Sequence, residues 1–196
     1  MSAIAIDELM KISCPVMELF ATVEPRPWTR QAILLELVGE IGSLAHLVQH
    51  WDGFKRGRPG PAHLEDECSD VLFILLRLAE HDRIHLPQMI LLEKEKGSAA
   101  DQIMALCRHV SHLQEEGRDA VLVLMAMLTD LGRLADCVGI DLSLAHRREM
   151  EIALYYFKAS GDLWPSPQPL RHPVATFHLA RLLWNKRNRK RITKDI

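Results

Sequence analysis

Apolar residues recur along most of the chain at intervals of three and four, which is the period of an amphipathic helix. Thr29 precedes one of these periodic stretches and is a suitable N-cap. Prolines and glycines interrupt the pattern where turns are expected. The pattern predicts helices over residues 4–22, 29–51, 63–82, 99–115, 118–138 and 141–160.

A further helix is predicted to open at Leu86-Pro87, because proline is tolerated in the first helical turn, and to end near Gly97. No stretch shows a sustained apolar/polar alternation bounded by turns, which is the signature of a half-buried strand. The sequence therefore predicts an all-α fold with no β-sheet.

Two of the predicted helices carry acids inside their apolar pattern. Glu36 and Glu40 lie one turn apart on the second helix, and Glu67 and Asp70 do so on the third. Carboxylates on an apolar helix face are costly to bury unless they meet a cation or a partner. The alternatives are an oxygen-rich site for Mg²⁺ or Mn²⁺ and a solvated face with ordinary ion pairs.

The same stretches resemble a known family. Residues 38–51, followed by 67–79, resemble the all-α NTP pyrophosphohydrolases, which comprise the MazG, dCTPase and dimeric dUTPase superfamily. Its signature is ExxE, a spacer and ExxD, and the resemblance covers roughly residues 5–97. It implies a MazG-like helical bundle that hydrolyses a nucleoside triphosphate to the monophosphate and pyrophosphate with Mg²⁺, or with Mn²⁺.

The resemblance also implies roles for individual acids. Glu40, Glu67 and Asp70 fall on three of the four metal-ligand positions, and we expect them to be the catalytic and metal-binding residues. The second Glu of ExxE is Ser43 here, so the motif is degenerate. Glu36 lies on the same stripe as Glu40 and is the candidate replacement for the missing ligand.

Other family positions differ as well. The Lys and Asn that relatives often carry after the fourth helix fall on Glu93 and Gly97.

Two functions remain open. The first is a pyrophosphohydrolase of full or weakened activity. The second is a catalytically inactive protein that binds nucleotide, regulates, or acts as a structural helical bundle.

Five residues are candidate contacts for a nucleoside triphosphate. Trp28 and Trp51 match aromatic positions near the nucleotide base in relatives, with hydrophobic core as the alternative. Lys55 and Arg58 lie in a glycine-containing loop and could grip phosphates, or be solvated. His46 replaces an acid of the family pattern and is either a ligand, a phosphate contact or a polar packing residue.

The chain also shows an internal repeat. Residues 77–86 align with 133–142 in one gap-free register, so we expect 64–97 and 120–153 to superpose as helix pairs. Relatives usually assemble as dimers, and a tandem copy would build a pseudo-dimer within one chain. A homodimer remains the alternative.

In this register Glu67 and Asp70 correspond to Val123 and Ala126, so the second copy has lost its acids and is expected to serve packing. The expected organisation has three parts. They are a MazG-like half at 1–97, a degenerate second repeat at 98–160, and a proline-rich linker, short helix and basic tail at 161–196.

Composition and charge narrow the classes of partner and the compartment that we expect for the protein. The formal net charge of −2 argues against a globally electrostatic nucleic-acid binder. The N-terminus lacks a signal pattern, and no uninterrupted apolar run has the roughly 18 residues of a membrane span. Four dispersed cysteines without a CxxC pair suit a reducing compartment. We therefore expect a cytoplasmic protein with no membrane segment.

Overall fold

The computed structural model describes residues 2–24, 26–57, 59–92, 97–115 and 119–160. Arg58, Glu93 and the linker, short helix and basic tail predicted within 161–196 lie outside the described residues. The strands are β1 (Ser2–Ala5) and β2 (Met89–Leu92). The helices are α1 (Ile6–Val23), α2 (Arg30–Trp51), α3 (Pro61–His81), α4 (Ala99–His112), α5 (Ala120–Val138) and α6 (Leu142–Ser160).

Side-chain caps define where several helices begin. Thr29 caps α2 by accepting a hydrogen bond from the Ala32 N–H, so its predicted role is confirmed. Ser98 and Asp101 form a reciprocal capping box at α4. The Asp119 carboxylate accepts the Val121 N–H at the start of α5. These local signals place three helix starts within a residue or two of the sequence prediction.

The helices pack as two hairpins and a flanking pair. Hairpin one is α2 with α3, hairpin two is α4 with α5, and they meet through α2 against α4 and α3 against α5. Helix α6 packs against α3 and α1. Helix α3 is therefore central, with an almost continuously buried run from Cys68 to Leu76. The all-α class is confirmed.

The predictions of a fourth helix near 86–97 and of no β-sheet are wrong. Residues 89–92 form β2, which pairs antiparallel with β1 so that Ile4 faces Ile90. Along β2 the side chains alternate between exposed and buried, with Ile90 and Leu92 inside. A four-residue apolar run does not reveal its period by itself, and the pairing strand β1 lies more than 80 residues away in the sequence.

The strand pair rests on α5 at a glycine. A Cβ at Gly132 would lie 2.7 Å from Leu92 Cδ1 and 2.8 Å from Ile4 Cδ1. The missing side chain therefore lets the ribbon approach α5 closely. This contact explains why a helix that otherwise carries large apolar residues has glycine at its centre.

The ends of α3 and α5 share one backbone geometry at positions that the predicted repeat aligns. The Ile84 N–H donates to the Ala79 carbonyl, and the Ile140 N–H donates to the Ala135 carbonyl, each at 2.8 Å. These residues are equivalent in the register of the sequence repeat. The left-handed residue of each end is also equivalent, namely Arg83 with φ 54° and Gly139 with φ 76°.

The expected superposition of 64–97 on 120–153 as helix pairs is nevertheless wrong beyond these ends. The Asp141 carboxylate accepts the Leu144 N–H and caps α6. The equivalent residue is His85, and β2 follows it instead of a helix. The tandem pseudo-dimer stays a prediction, supported by the matched ends of α3 and α5.

Helix α2 is long and apolar enough to cross a membrane by length and composition alone. Within the described part of the fold it buries Leu37, Leu44 and Val48 in the bundle core, as core helices of other proteins also do. The sequence prediction of no membrane segment therefore stays a prediction.

Candidate functional site

Three carboxylates converge between the helices of hairpin one. Glu40 lies on the buried face of α2 with 4% of its surface exposed, and Asp70 lies on α3 with 9% exposed. Glu67 is half-buried one turn before Asp70. One carboxylate oxygen from each of the three lies within 4.8 Å of the others. The structure thus brings together the acids that the sequence singled out, while their roles stay predictions.

The Glu40 carboxyl has a strongly perturbed environment. Burial raises its pKa from 4.5 to about 8, and the negative charges of Glu67 and Glu36 add to the shift. A hydrogen bond joins the side chains of Glu36 and Glu40, which requires one of the two to carry a proton. Glu36 is half-buried and lies beside the cluster without completing it.

A hard divalent cation fits this donor set. Mg²⁺ and Mn²⁺ prefer carboxylate oxygens, and Mg²⁺ binds through a few protein carboxylates while keeping waters and substrate phosphates. Gathering three carboxylates in a partly buried site raises their mutual repulsion, which a cation would remove. Glu40, Glu67 and Asp70 are therefore the residues that would hold such an ion.

The polar positions beyond Glu40 on α2 face outward. Ser43 and His46 are exposed. The Lys55 ammonium donates a hydrogen bond to His46 Nδ1 at 2.9 Å. The Phe54 and Lys55 N–H groups both donate to the Gln49 carbonyl, so the loop folds back onto the last turn of α2.

The two candidate aromatic contacts are half-buried and pack against the core. The Arg77 guanidinium lies 4.1 Å from the centre of the Trp28 ring, and it donates to Glu24 Oε1 at 2.6 Å. One face of Trp28 is therefore occupied by a cation–π contact. Trp51 ends α2 beside the loop that carries Lys55. Both positions agree with the packing alternative, and a role in base binding stays a prediction.

Sequence reasoning missed a buried polar junction behind the acids. His146 on α6 is fully buried, with its Nε2 2.8 Å from Ser13 Oγ on α1 and its Nδ1 3.0 Å from Ser69 Oγ on α3. Ser13 donates its own proton to the Leu9 carbonyl, so it accepts from His146 Nε2–H, and Ser69 donates to Nδ1. Burial lowers the pKa of His146 from 6.5 to about 4.

The junction matters because Ser69 directly precedes Asp70. It ties the acid-bearing helix to α1 and α6 from the side away from α2. The available sequence signal is a polar residue at a position where the helical period demands an apolar one, as for Ser13 on the α1 stripe with Leu9 and Val16.

Comparison with known proteins gives partial matches. Over 67 residues the chain is 45% identical to dCTP pyrophosphatase 1 of Homo sapiens, 43% to that of Bos taurus and 42% to that of Mus musculus. Each match covers 30% of this chain and 38% of the relative, so the chain spans well under half of the curated relatives it matches. No protein-family profile matches the chain. The partial similarity supports a relationship to nucleotide pyrophosphohydrolases.

Proposed function

We propose that the chain is a nucleoside triphosphate pyrophosphohydrolase that depends on Mg²⁺ or Mn²⁺. The observation that carries this proposal is the convergence of the Glu40, Glu67 and Asp70 carboxylates within 4.8 Å on the two helices of hairpin one. The partial similarity to dCTP pyrophosphatase 1 supports a nucleotide as the substrate. Deoxycytidine triphosphate is accordingly the first substrate to test.

The reaction adds water across the α–β phosphoanhydride bond and releases a nucleoside monophosphate and pyrophosphate. When bound, the cation supplies positive charge that stabilises the phosphate oxygens as their charge develops. Glu67 and Asp70, one turn apart on α3, would hold the cation together with Glu40, and Glu36 beside them would accept a hydrogen bond from the attacking water. Burial of the cluster excludes bulk water from the acids.

The substrate contacts extend from this cluster along α2. Lys55, Arg58 and His46 are the proposed polar contacts of the substrate, and Trp51 is the proposed aromatic contact of its base. Trp28 precedes the opposite end of the 22-residue helix α2, about 30 Å from Trp51, so it would not reach the same base. We propose that hairpin two and α6 pack against the acid-bearing helix α3 in the way that the second subunit of a dimer would. We also propose that the protein is cytoplasmic. We do not expect nucleic acid as a partner, since the net charge is −2.

A second candidate is a nucleotide-binding protein that has lost hydrolysis. The observation that favours it is the residue at the second Glu position of the ExxE motif. That residue is Ser43 in this chain, and it is exposed. Both candidates predict nucleotide binding, so only pyrophosphate release distinguishes them.

The test combines melting curves with a pyrophosphate-release assay on dCTP and the other deoxynucleoside triphosphates. In Mg²⁺ or Mn²⁺ well above its dissociation constant, the parent should gain about 1–3 kcal/mol of stability relative to EDTA. Asp70→Asn and Glu67→Gln should lose this gain and melt at or above the parent in EDTA. Glu151→Gln removes an exposed acid on α6 and is the charge-matched control, which should behave as the parent.

Ser43→Glu restores the acid of the family pattern and should strengthen metal-dependent stabilisation and raise hydrolysis. Equal melting temperatures in EDTA and metal, with no response in Ser43→Glu, would overturn the metal-dependent function. Metal-dependent stabilisation without pyrophosphate release from any nucleotide would favour the inactive nucleotide-binding protein instead.

A further inference from the structure

The structure determines which hydrogen-bonding role His46 can take. A lysine ammonium has only hydrogens to donate, so the Lys55 contact at 2.9 Å requires His46 Nδ1 to be the acceptor. The proton of the neutral ring then lies on Nε2. With Nδ1 occupied and Nε2 protonated, neither ring nitrogen offers a lone pair to a cation. His46 is therefore a donor in this arrangement.

The position of Lys55 is fixed by the backbone of its loop. Gly53 and Gly57 both have φ 81°, a region that favours glycine, and they reverse the chain after α2. The Phe54 and Lys55 N–H groups share the Gln49 carbonyl as acceptor. His50 Nδ1 donates to the Gly57 carbonyl at 2.9 Å, since a carbonyl can only accept. These contacts hold the lysine against the exposed end of α2.

The resulting pair presents donors and positive charge to solvent. Both His46 and Lys55 are exposed, and the ammonium keeps two further hydrogens after its contact with the ring. His46 lies six residues beyond Glu40 on α2, a rise of about 9 Å along the helix. The helix also turns so that the two positions lie about 120° apart around its axis, and the pair and the acid cluster are therefore separate sites on α2.

We infer that His46 and Lys55 form a phosphate-oxygen binding pair, so that α2 carries a cation site at Glu40 and an anion site at its C-terminal end. The inference rests on the proposed function for the identity of the anion, a phosphate of a nucleoside triphosphate. It assigns His46 a role opposite to that of an acid, which would bind a metal at this position. Charge-assisted hydrogen bonds from an ammonium to phosphate are among the stronger polar contacts.

The experiment measures binding of inorganic tripolyphosphate to the full chain by calorimetry in EDTA, where no metal contributes. Lys55→Met should weaken binding by about tenfold, the effect of losing one hydrogen bond to a charged group. His46→Glu should abolish measurable binding, because it places negative charge against the phosphate. His46→Gln retains a side-chain donor and should bind within about threefold of the parent.

Lys11→Met is the matched control, because Lys11 is an exposed lysine on α1 and its loss changes the net charge equally. Unchanged affinity in Lys55→Met, or equal weakening in Lys11→Met, would overturn the inference. Equal loss in His46→Gln and His46→Glu would also do so, since it would mean the ring acts by packing.

The outcomes separate this inference from the proposed function. Tripolyphosphate binding that depends on Lys55 without any nucleotide hydrolysis would remove the enzymatic function and leave the anion site. Metal-dependent hydrolysis that is insensitive to Lys55→Met and His46→Glu would remove the anion site and leave the enzyme.

Discussion

The two helical hairpins of the bundle each bury acids, but they surround them differently. In hairpin one the Glu40 carboxyl has other carboxylates as neighbours, and its pKa rises to about 8. In hairpin two Asp130 is 3.1 Å from His109 Nε2 and 3.5 Å from Arg133 Nη1. Hairpin two therefore supplies a donor for its buried acid from within itself, whereas hairpin one gathers like charges.

The difference indicates what each hairpin is for. A buried acid with hydrogen-bonded partners is the ordinary way in which a core tolerates charge. Like charges gathered in a partly buried site cost stability and are found at functional sites. In the register of the predicted repeat, hairpin two carries the apolar Val123 and Ala126 in place of Glu67 and Asp70. Hairpin one thus contains a costly cluster of like charges, and the proposal that hairpin two serves packing follows from this contrast.

The largest expected effect tests directly whether the buried acids of the two hairpins differ in function. Asp70→Asn should lower metal-dependent hydrolysis roughly 1,000-fold or more, because in the proposed function the three carboxylates act as a unit. Asp130→Asn should leave the rate per folded molecule within about twofold of the parent. Stability, measured by denaturation in EDTA, should show the reverse order. Asp130→Asn should be destabilised, and Asp70→Asn should not.

For Asp130→Asn we expect a loss of about 1–3 kcal/mol, since His109 and Arg133 lose their charged acceptor. For Asp70→Asn we expect no loss, because relief of repulsion offsets any lost hydrogen bond. A large fall in activity for Asp130→Asn, or a large loss of stability for Asp70→Asn, would remove the functional distinction between the hairpins.

The next effect concerns His146, which joins α6 to the acid-bearing helix of hairpin one. Its pKa is about 4 in the folded chain and 6.5 in the unfolded chain, so the unfolded chain binds the proton first as the pH falls. The contribution of His146 is complete above pH 6.5 and is lost progressively down to pH 4. The full loss is about 3 kcal/mol, from about 1.4 kcal/mol per pH unit.

Denaturation of the parent and His146→Gln between pH 8 and pH 4 measures this loss, because other titrating groups cancel in the difference. Between pH 6.5 and pH 4, the free energy of unfolding of His146→Gln should fall less steeply with falling pH than that of the parent. The difference in slope should correspond to the uptake of one proton. Should the variant fail to fold, the ring can be titrated in the parent by NMR. A midpoint near 6.5 there would show that the junction is open to solvent.

A smaller effect tests how closely the paired strands β1 and β2 pack against α5 of hairpin two. Gly132→Ala should cost about 1–2 kcal/mol, because the added Cβ would lie within 3 Å of Leu92 and Ile4 methyl groups. Gly39→Ala on α2 is the matched control, since a Cβ there meets nothing within 4 Å. It should stabilise the chain by up to about 1 kcal/mol. Equal effects at the two glycines would mean that the ribbon yields without cost.

Sequence patterns predicted the elements whose signals are local. The helix cap Thr29, and the long apolar periods of α2, α3 and α5, identify the helices without reference to the rest of the chain. The family resemblance and the expected packing of the two helices also predicted that Glu40, Glu67 and Asp70 lie together, as they do.

The failures arose where a distant partner decides the structure. Residues 89–92 become a strand because β1, at the start of the chain, pairs with them. The His146 junction needs three helices to meet, so a polar Ser13 on an apolar stripe marks a buried position but does not identify its partners. The donor role of His46 depends on a loop that returns Lys55 to α2. Each of these is a property of tertiary contact and not of a sequence period.

The smallest effect tests whether the ends of α3 and α5 are copies. Arg83 and Gly139 occupy equivalent left-handed positions, at φ 54° and φ 76°, but only glycine adopts that region without steric cost. Arg83→Gly should therefore stabilise the chain by about 0.5 kcal/mol, after the greater flexibility of glycine in the unfolded chain is offset. Gly139→Arg should destabilise it by about 1 kcal/mol. The two changes lie at different helix ends, so their effects should add in the double variant. Chemical denaturation of all four chains measures this. Stabilisation by Gly139→Arg, or destabilisation by Arg83→Gly, would mean that side-chain contacts rather than a shared backbone turn govern the two helix ends.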